Sequence, residues 1–163
     1  MVKGLGRMAG AAVVGGIAIF GGVTATGDDT TRDESGEIVE GGGLGVFAMQ
    51  DGDCFILPDE EYVQSVEAVA CTTPHDGQKF ATVTVSYVGE YDEQAIYNSA
   101  GERCVAEFED FVGQTWEQSE LYLDAFYPAE DGWADGQREA LCLIIPNPEL
   151  GEMLTFDAEG SGR

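Results

Sequence analysis

Four cysteines, at positions 54, 71, 104 and 142, constrain this chain more than any other feature. An even number of cysteines in an exported domain of about 120 residues implies two disulfides and a core closed by covalent staples. Four cysteines allow three pairings, and local patterns rank them. Cys54 opens one strand candidate, CFIL, and Cys71 closes another, YVQSVEAVAC (62–71), so a hairpin of those strands makes the two sulfurs neighbours. Cys104 sits on the apolar face of a predicted helix, and Cys142 lies in REALCLIIP (138–146), the most apolar strand candidate. The expected pairs are Cys54–Cys71 and Cys104–Cys142, each contributing roughly 3–4 kcal/mol on the chain-entropy model.

Export is expected from the first 26 residues. MVKGLGR carries Lys3 and Arg7, and the following run MAGAAVVGGIAIFGGVTAT has no charge. It reads as a single membrane-spanning anchor, or as a signal peptide cleaved near Ala25 after the small-residue stretch Val23-Thr24-Ala25. Either reading keeps the two bases in the cytoplasm and sends the remainder across the membrane. The expected location is the cell membrane with the C-terminal domain extracytoplasmic, the alternative being secretion. Residues 27–43, acidic and glycine-rich without apolar periodicity, read as a flexible linker. Residues 44–158 are expected to form the domain, with 159–163 as a tail.

Within the domain, KFATVTVSYV (79–88) alternates: Ala81, Val83, Val85 and Tyr87 share one face, with Thr82, Thr84 and Ser86 on the other. From Asp92 the period changes to that of a helix. Asp92 caps a segment running to about Val112, Gly113 stops it, and Tyr97, Ala100, Cys104, Phe108 and Phe111 form one stripe. SELYLDAFYP (119–128) is strand-like, AEDGWADG is a short helical turn, and REALCLIIP is a central strand covered on both faces. The fold class is α+β: an antiparallel sheet with one long amphipathic helix packed on a face, and two disulfides.

Charge narrows function. There are 31 acids against 7 Lys and Arg, for a net charge of −24. Such a surface repels nucleic acid, which needs cations to displace the counterions of its phosphates. It fits cations, basic proteins or neutral surfaces instead.

The stretch CTTPHD (71–76) holds the only histidine, His75, beside Asp76. A zinc site needs three or four Cys/His ligands at a recognised spacing, and no CxxC or HxxxH accompanies it. A nucleophilic triad needs a serine or cysteine beside the histidine, and no GxSxG elbow is present. Pro74 fixing the backbone, an Asp76-Gly77 turn and a histidine bonded to it account for every residue type there. No metal, cofactor or catalytic residue is expected.

GDCF (52–55), VACTTPHD (69–76), CVAEFEDFVG (104–113) and YPAEDGWADGQREALC (127–142) together resemble the septum formation family, in the same order across residues 51–145. The resemblance implies an exported or membrane-anchored domain tied to cell division, with no catalytic mechanism to carry over. Where the family's last motif often reads Trp, a short gap and Gly-Asp-Arg, this chain has Trp133, Gly136, Gln137 and Arg138. The carboxylate at that point is absent. Trp133 and Arg138 are expected to stack or pair as structural elements, with a ligand role as the alternative.

The expected function is a membrane-tethered, non-catalytic binding module for a protein or cell-envelope partner, linked to septum formation or envelope assembly. The alternatives are an envelope-acting hydrolase using His75 with a carboxylate such as Asp76, and a cation-responsive acidic sensor.

Overall fold

The computed structural model describes residues 17–19, 28–59 and 63–163. In chain order the elements are β1 (Ile17–Ile19), β2 (Thr31–Arg32), β3 (Ile38–Glu40), β4 (Gly42–Gly45), β5 (Cys54–Ile56), β6 (Ser65–Val69), β7 (Gly77–Thr84), α1 (Glu93–Val112), β8 (Tyr122–Pro128), α2 (Glu130–Ala134) and β9 (Glu139–Ile145). Seven strands form one sheet in the order β1-β8-β9-β7-β5-β6-β4, and β2 and β3 form a small hairpin. All pairings are antiparallel except β1 with β8. The α+β class with one long helix and two disulfides is therefore the observed architecture.

The helix starts and stops where its caps stand. The Asp92 side chain accepts the Ala95 N–H at 3.0 Å, with Glu93 in the first turn favourable to the helix dipole. Gly113 ends it at φ +83°, a conformation that disfavours residues with a Cβ. Ile96, Ala100, Cys104, Phe108 and Val112 are buried at four-residue spacing, while Tyr97 and Phe111 flank that stripe half-buried. This face lies on β7, β8 and β9, where Phe108 meets Phe80 and Trp116 edge-on at 6.0 and 5.5 Å. Cys104 closes a disulfide to Cys142 on β9, bolting the helix to the sheet.

Strand β9 sits between β7 and β8 with Ala140 to Ile144 all buried, as its continuous apolar run requires. A register shift between Lys79 and Ala81 interrupts the β7–β9 ladder. Phe80 and Ala81 consequently both join the helix-side core, while the alternation expected from the sequence holds from Thr82 to Val85. The sheet curls. Phe55 on β5 reaches Phe126 on β8 at 5.8 Å although two strands separate them. A second core fills that curl, built from Leu44, Val66, Phe55, Phe126, Leu141 and Leu143 among others. Gly77 permits the closure, because a Cβ there would stand 2.7 Å from the Phe55 ring and 3.1 Å from the Ile144 carbonyl.

Two expectations require correction. Residues 27–43 do not read as a free linker where described: β2 and β3 form a hairpin, Ile38 is buried, and Arg32 pairs with Asp53. The only base in an acidic run is drawn to a buried carboxylate, and the chain around it becomes ordered. The segment 159–163 is likewise not a loose tail. The Gly160 and Gly162 N–H groups donate to the Phe111 and Val112 carbonyls at 2.8 Å each, supplying partners that the end of α1 lacks. The leader expected over residues 1–26 lies, apart from Ile17–Ile19, outside the described residues. Those three residues are extended along the edge of β8 at Phe126–Pro128, where a sheet edge offers unpaired backbone groups to isoleucine-rich chain. No helix among the described residues is long and apolar enough to cross a membrane.

Candidate functional site

The Cys54–Cys71 disulfide forms as expected, stapling the start of β5 to the turn after β6. Beside it opens a cleft of about 550 Å³. Its walls come from the β2–β3 turn and β3, the Gln50–Asp53 turn, the end of β6 and the returning C-terminal segment. Five carboxylates line it (Glu37, Asp51, Asp53, Asp157 and Glu159), and no Lys or Arg does.

Two of the five are neutralised from behind. Asp53 is buried and held bidentately by Arg32, with Oδ1–Nη1 at 2.6 Å and Oδ2–Nη2 at 2.8 Å, and Oδ2 also accepts the Gln50 N–H at 2.8 Å. Asp51 pairs with Lys79, whose side chain is buried while that of Asp51 stays largely exposed. Lys79 also clamps the turn through its backbone, donating to the Asp53 carbonyl and accepting from Gly52. Asp157 is held by neutral donors, Gln78 Nε2 at 2.7 Å and the Glu159 N–H at 2.9 Å. Glu37 and Glu159 carry no ion pair among the described residues. Three uncompensated carboxylates thus share a cleft lined also by Ile38, Val69 and the disulfide. That arrangement suits a cation with an alkyl stem, such as a lysine or arginine side chain.

His75 lies behind this site, fully buried. Its Nδ1–H donates to the Thr73 carbonyl at 2.7 Å, and Nε2 is buried without a hydrogen-bond partner among the described residues. Burial pushes its pKa below the ordinary histidine value, opposed by the Thr73 carbonyl and by the charges of Asp157 and Asp76. The Asp76 carboxylate does not meet the ring; Oδ2 accepts the Leu57 N–H at 2.9 Å and holds that strand end in place. CTTPHD is therefore a turn bonded to β5, with Thr73 N–H to Ala70 and Asp76 N–H to Phe55. With Cys71 in a disulfide, its sulfur is unavailable to a metal, and no group of three or more metal-ligating side chains exists among the described residues.

Trp133 and Arg138 lie together, but away from this cleft, near the other end of β7. The Arg138 guanidinium stacks 3.6 Å from the Trp133 ring centroid and donates to the Trp133 and Gln137 carbonyls at 2.9 and 2.6 Å. Trp133 in turn donates Nε1–H to the Gly89 carbonyl and packs on Tyr87. The pair ties α2 to the chain leaving β7.

The residues that build the cleft were missed in the sequence for identifiable reasons. Arg32 stands alone among acids, which was the available signal; Asp157 lies at the very end of the expected domain and Glu159 in what reads as a tail. A buried carboxyl on β8, Asp124, was also missed; its signal is a lone Asp inside the apolar run LYLDAFY. It accepts the Ala125 N–H at 2.8 Å and the Tyr97 hydroxyl at 3.4 Å, and burial pushes its pKa up to about 7.

No curated protein and no solved structure matches the chain. A family model described as septum formation matches residues 51–161, which takes in both disulfides, the CTTPHD turn and four of the five carboxylates of the cleft. The chain belongs to the septum formation family, whose description ties it to cell division or the cell envelope.

Proposed function

We propose that this chain is a membrane-tethered, extracytoplasmic, non-catalytic binding module, and that the cleft beside Cys54–Cys71 is its recognition surface. The occupant is a Lys- or Arg-bearing segment of a protein or envelope component in a cell-division or wall-associated assembly. The observation that carries this reading is the cleft's charge: three carboxylates without a countercharge among the described residues, in a lining that also includes Ile38, Val69 and a disulfide. The basic start and uncharged run of the leader support the tether. In the tethered form Ile17–Ile19 exchange the β8 edge for the bilayer, and the cleft contains none of those residues. A hydrolase built on His75 requires an accessible ring, and this one is sealed with Nδ1 already engaged. That burial supports the non-catalytic reading.

The test is co-purification of the full chain from membranes at several salt concentrations, beside a Glu37→Gln/Glu159→Gln variant. A Glu102→Gln/Glu109→Gln variant removes equal charge from the exposed side of α1 as a control. A specific partner retained by the wild type and the control, lost by the cleft variant and weakened by salt, is the expected result. Equal recovery by all three proteins, or no specific partner under any salt condition, rejects the cleft.

A further inference from the structure

Residues 154–163 return across the domain as a strap with three fastenings. Leu154 exchanges two backbone hydrogen bonds with His75, at 2.9 Å each. Asp157 and Ala158 are both bonded by the buried Gln78 side chain, at 2.7 Å each. Gly160 and Gly162 close on the end of α1. Between the first and last fastenings the strap supplies Asp157 and Glu159 to the cleft wall.

The first fastening contains the only side chain in the protein whose ordinary titration falls between pH 5 and 8. As the ring stands, one nitrogen donates to Thr73 and the other lies buried with no hydrogen-bond partner among the described residues. A proton taken up at Nε2 creates a buried charge and a donor without an acceptor. Two carboxylates exert charge on the ring, Asp157 from the strap and Asp76 from its own turn. Asp76 Oδ2 accepts the Leu57 N–H, and Asp157 Oδ1 accepts both Gln78 Nε2 and the Glu159 N–H. Among the described residues no acceptor meets Nε2, so satisfying the new N–H requires the ring, whose backbone carries Leu154, or Asp157 of the strap to move towards a partner. Both movements disturb the same wall.

We propose that the His75–Leu154 contact is an acid-released latch on the cleft: protonation of the ring loosens residues 154–159, withdraws Asp157 and Glu159, and releases the cationic occupant. The release of a ligand rests on the cleft reading above; the movement of the strap does not. The latch is closed at neutral pH. It opens below the ordinary histidine range, because burial favours the neutral ring.

Because His75 is the only histidine, its ring resonance reports its protonation without assignment ambiguity. The experiment follows that resonance by NMR, and amide exchange corrected for intrinsic rates, on the detergent-solubilised full chain between pH 7.5 and 4.5. Binding of a fluorescent hexalysine peptide is measured over the same range. Protection of residues 154–160 is expected to fall at least tenfold with the midpoint of the ring titration, while β9 and the middle of α1 keep theirs. In a His75→Gln variant the strap's protection is expected to stay flat across that range. Strap protection that is unchanged as the ring titrates, or lost together with β9 and α1, overturns the latch. So does the wild-type midpoint persisting in His75→Gln. Should that variant fail to fold, the wild-type comparison alone decides. Hexalysine binding at pH 7.5 with a strap that never opens refutes the latch and keeps the cleft. A strap that opens on the ring's midpoint without any peptide binding refutes the cleft and keeps the latch.

Discussion

Replacing Asp124 by Asn tests whether the core of this acidic protein carries a carboxyl group against its own stability. Asp124 lies on β8, buried, with the Ala125 N–H and the Tyr97 hydroxyl as its partners and no cation paired with it among the described residues. Burial raises its pKa from 3.8 to about 7, the two hydrogen bonds only partly offsetting it. That displacement corresponds to roughly 4 kcal/mol as a ceiling. The sign follows from proton binding. Between pH 4 and 7 the folded chain keeps a proton that the unfolded chain gives up, so this group's contribution to stability falls as pH rises and is flat above about 7. Asparagine keeps an oxygen for Ala125 and cannot ionise. The Asp124→Asn variant should match the wild type near pH 4.5 and exceed it by about 1–3 kcal/mol at pH 8. Urea unfolding of the oxidised full chain at pH 4.5, 6 and 8, at matched ionic strength and with m values compared, measures this. A pH-independent difference, or a loss of stability at pH 8, refutes the reasoning.

Limited reduction should open Cys54–Cys71 well before Cys104–Cys142, because Cys71 is partly exposed at the cleft whereas both Cys104 and Cys142 are buried; alkylation after graded dithiothreitol, read by peptide mass, shows the order. Arg32→Met should cost about 2–4 kcal/mol by leaving Asp53 charged and buried, and adding Asp53→Asn should restore at least half of that in denaturant melts. Asp92→Ala should destabilise by about 1 kcal/mol through the lost cap on Ala95, with faster amide exchange confined to the first turn of α1.

The parts legible in the sequence are those set by short-range rules. The change from two-residue to 3.6-residue periodicity at Asp92, its cap and the glycine stop fix α1 within a residue, since each acts within one helical turn. The disulfides were legible because a strand start facing a strand end, and a helix face over an apolar strand, leave little freedom to the sulfurs. The cleft was not legible, because its members meet only through long-range returns. Arg32 reaches Asp53 past β3 and β4, and the 154–163 strap is ordered by Gln78 and by the carbonyls of α1, none of which marks that segment locally. His75 and Asp76, adjacent in the sequence, turn to different partners. The orientation of a turn residue depends on the distant segment that pairs with it, here the backbone of Leu154.

The central claim, that the cleft beside Cys54–Cys71 recognises a partner, is tested most directly by photo-crosslinking in the envelope. A benzophenone amino acid replaces either Val39, an exposed residue of the cleft wall, or Val88, an exposed residue beyond the other end of β7. The account predicts a discrete cross-linked protein or envelope component from position 39 that is absent from position 88 and lost in the Glu37→Gln/Glu159→Gln background. The same adducts from both positions, or a discrete adduct from position 88 alone, would contradict it.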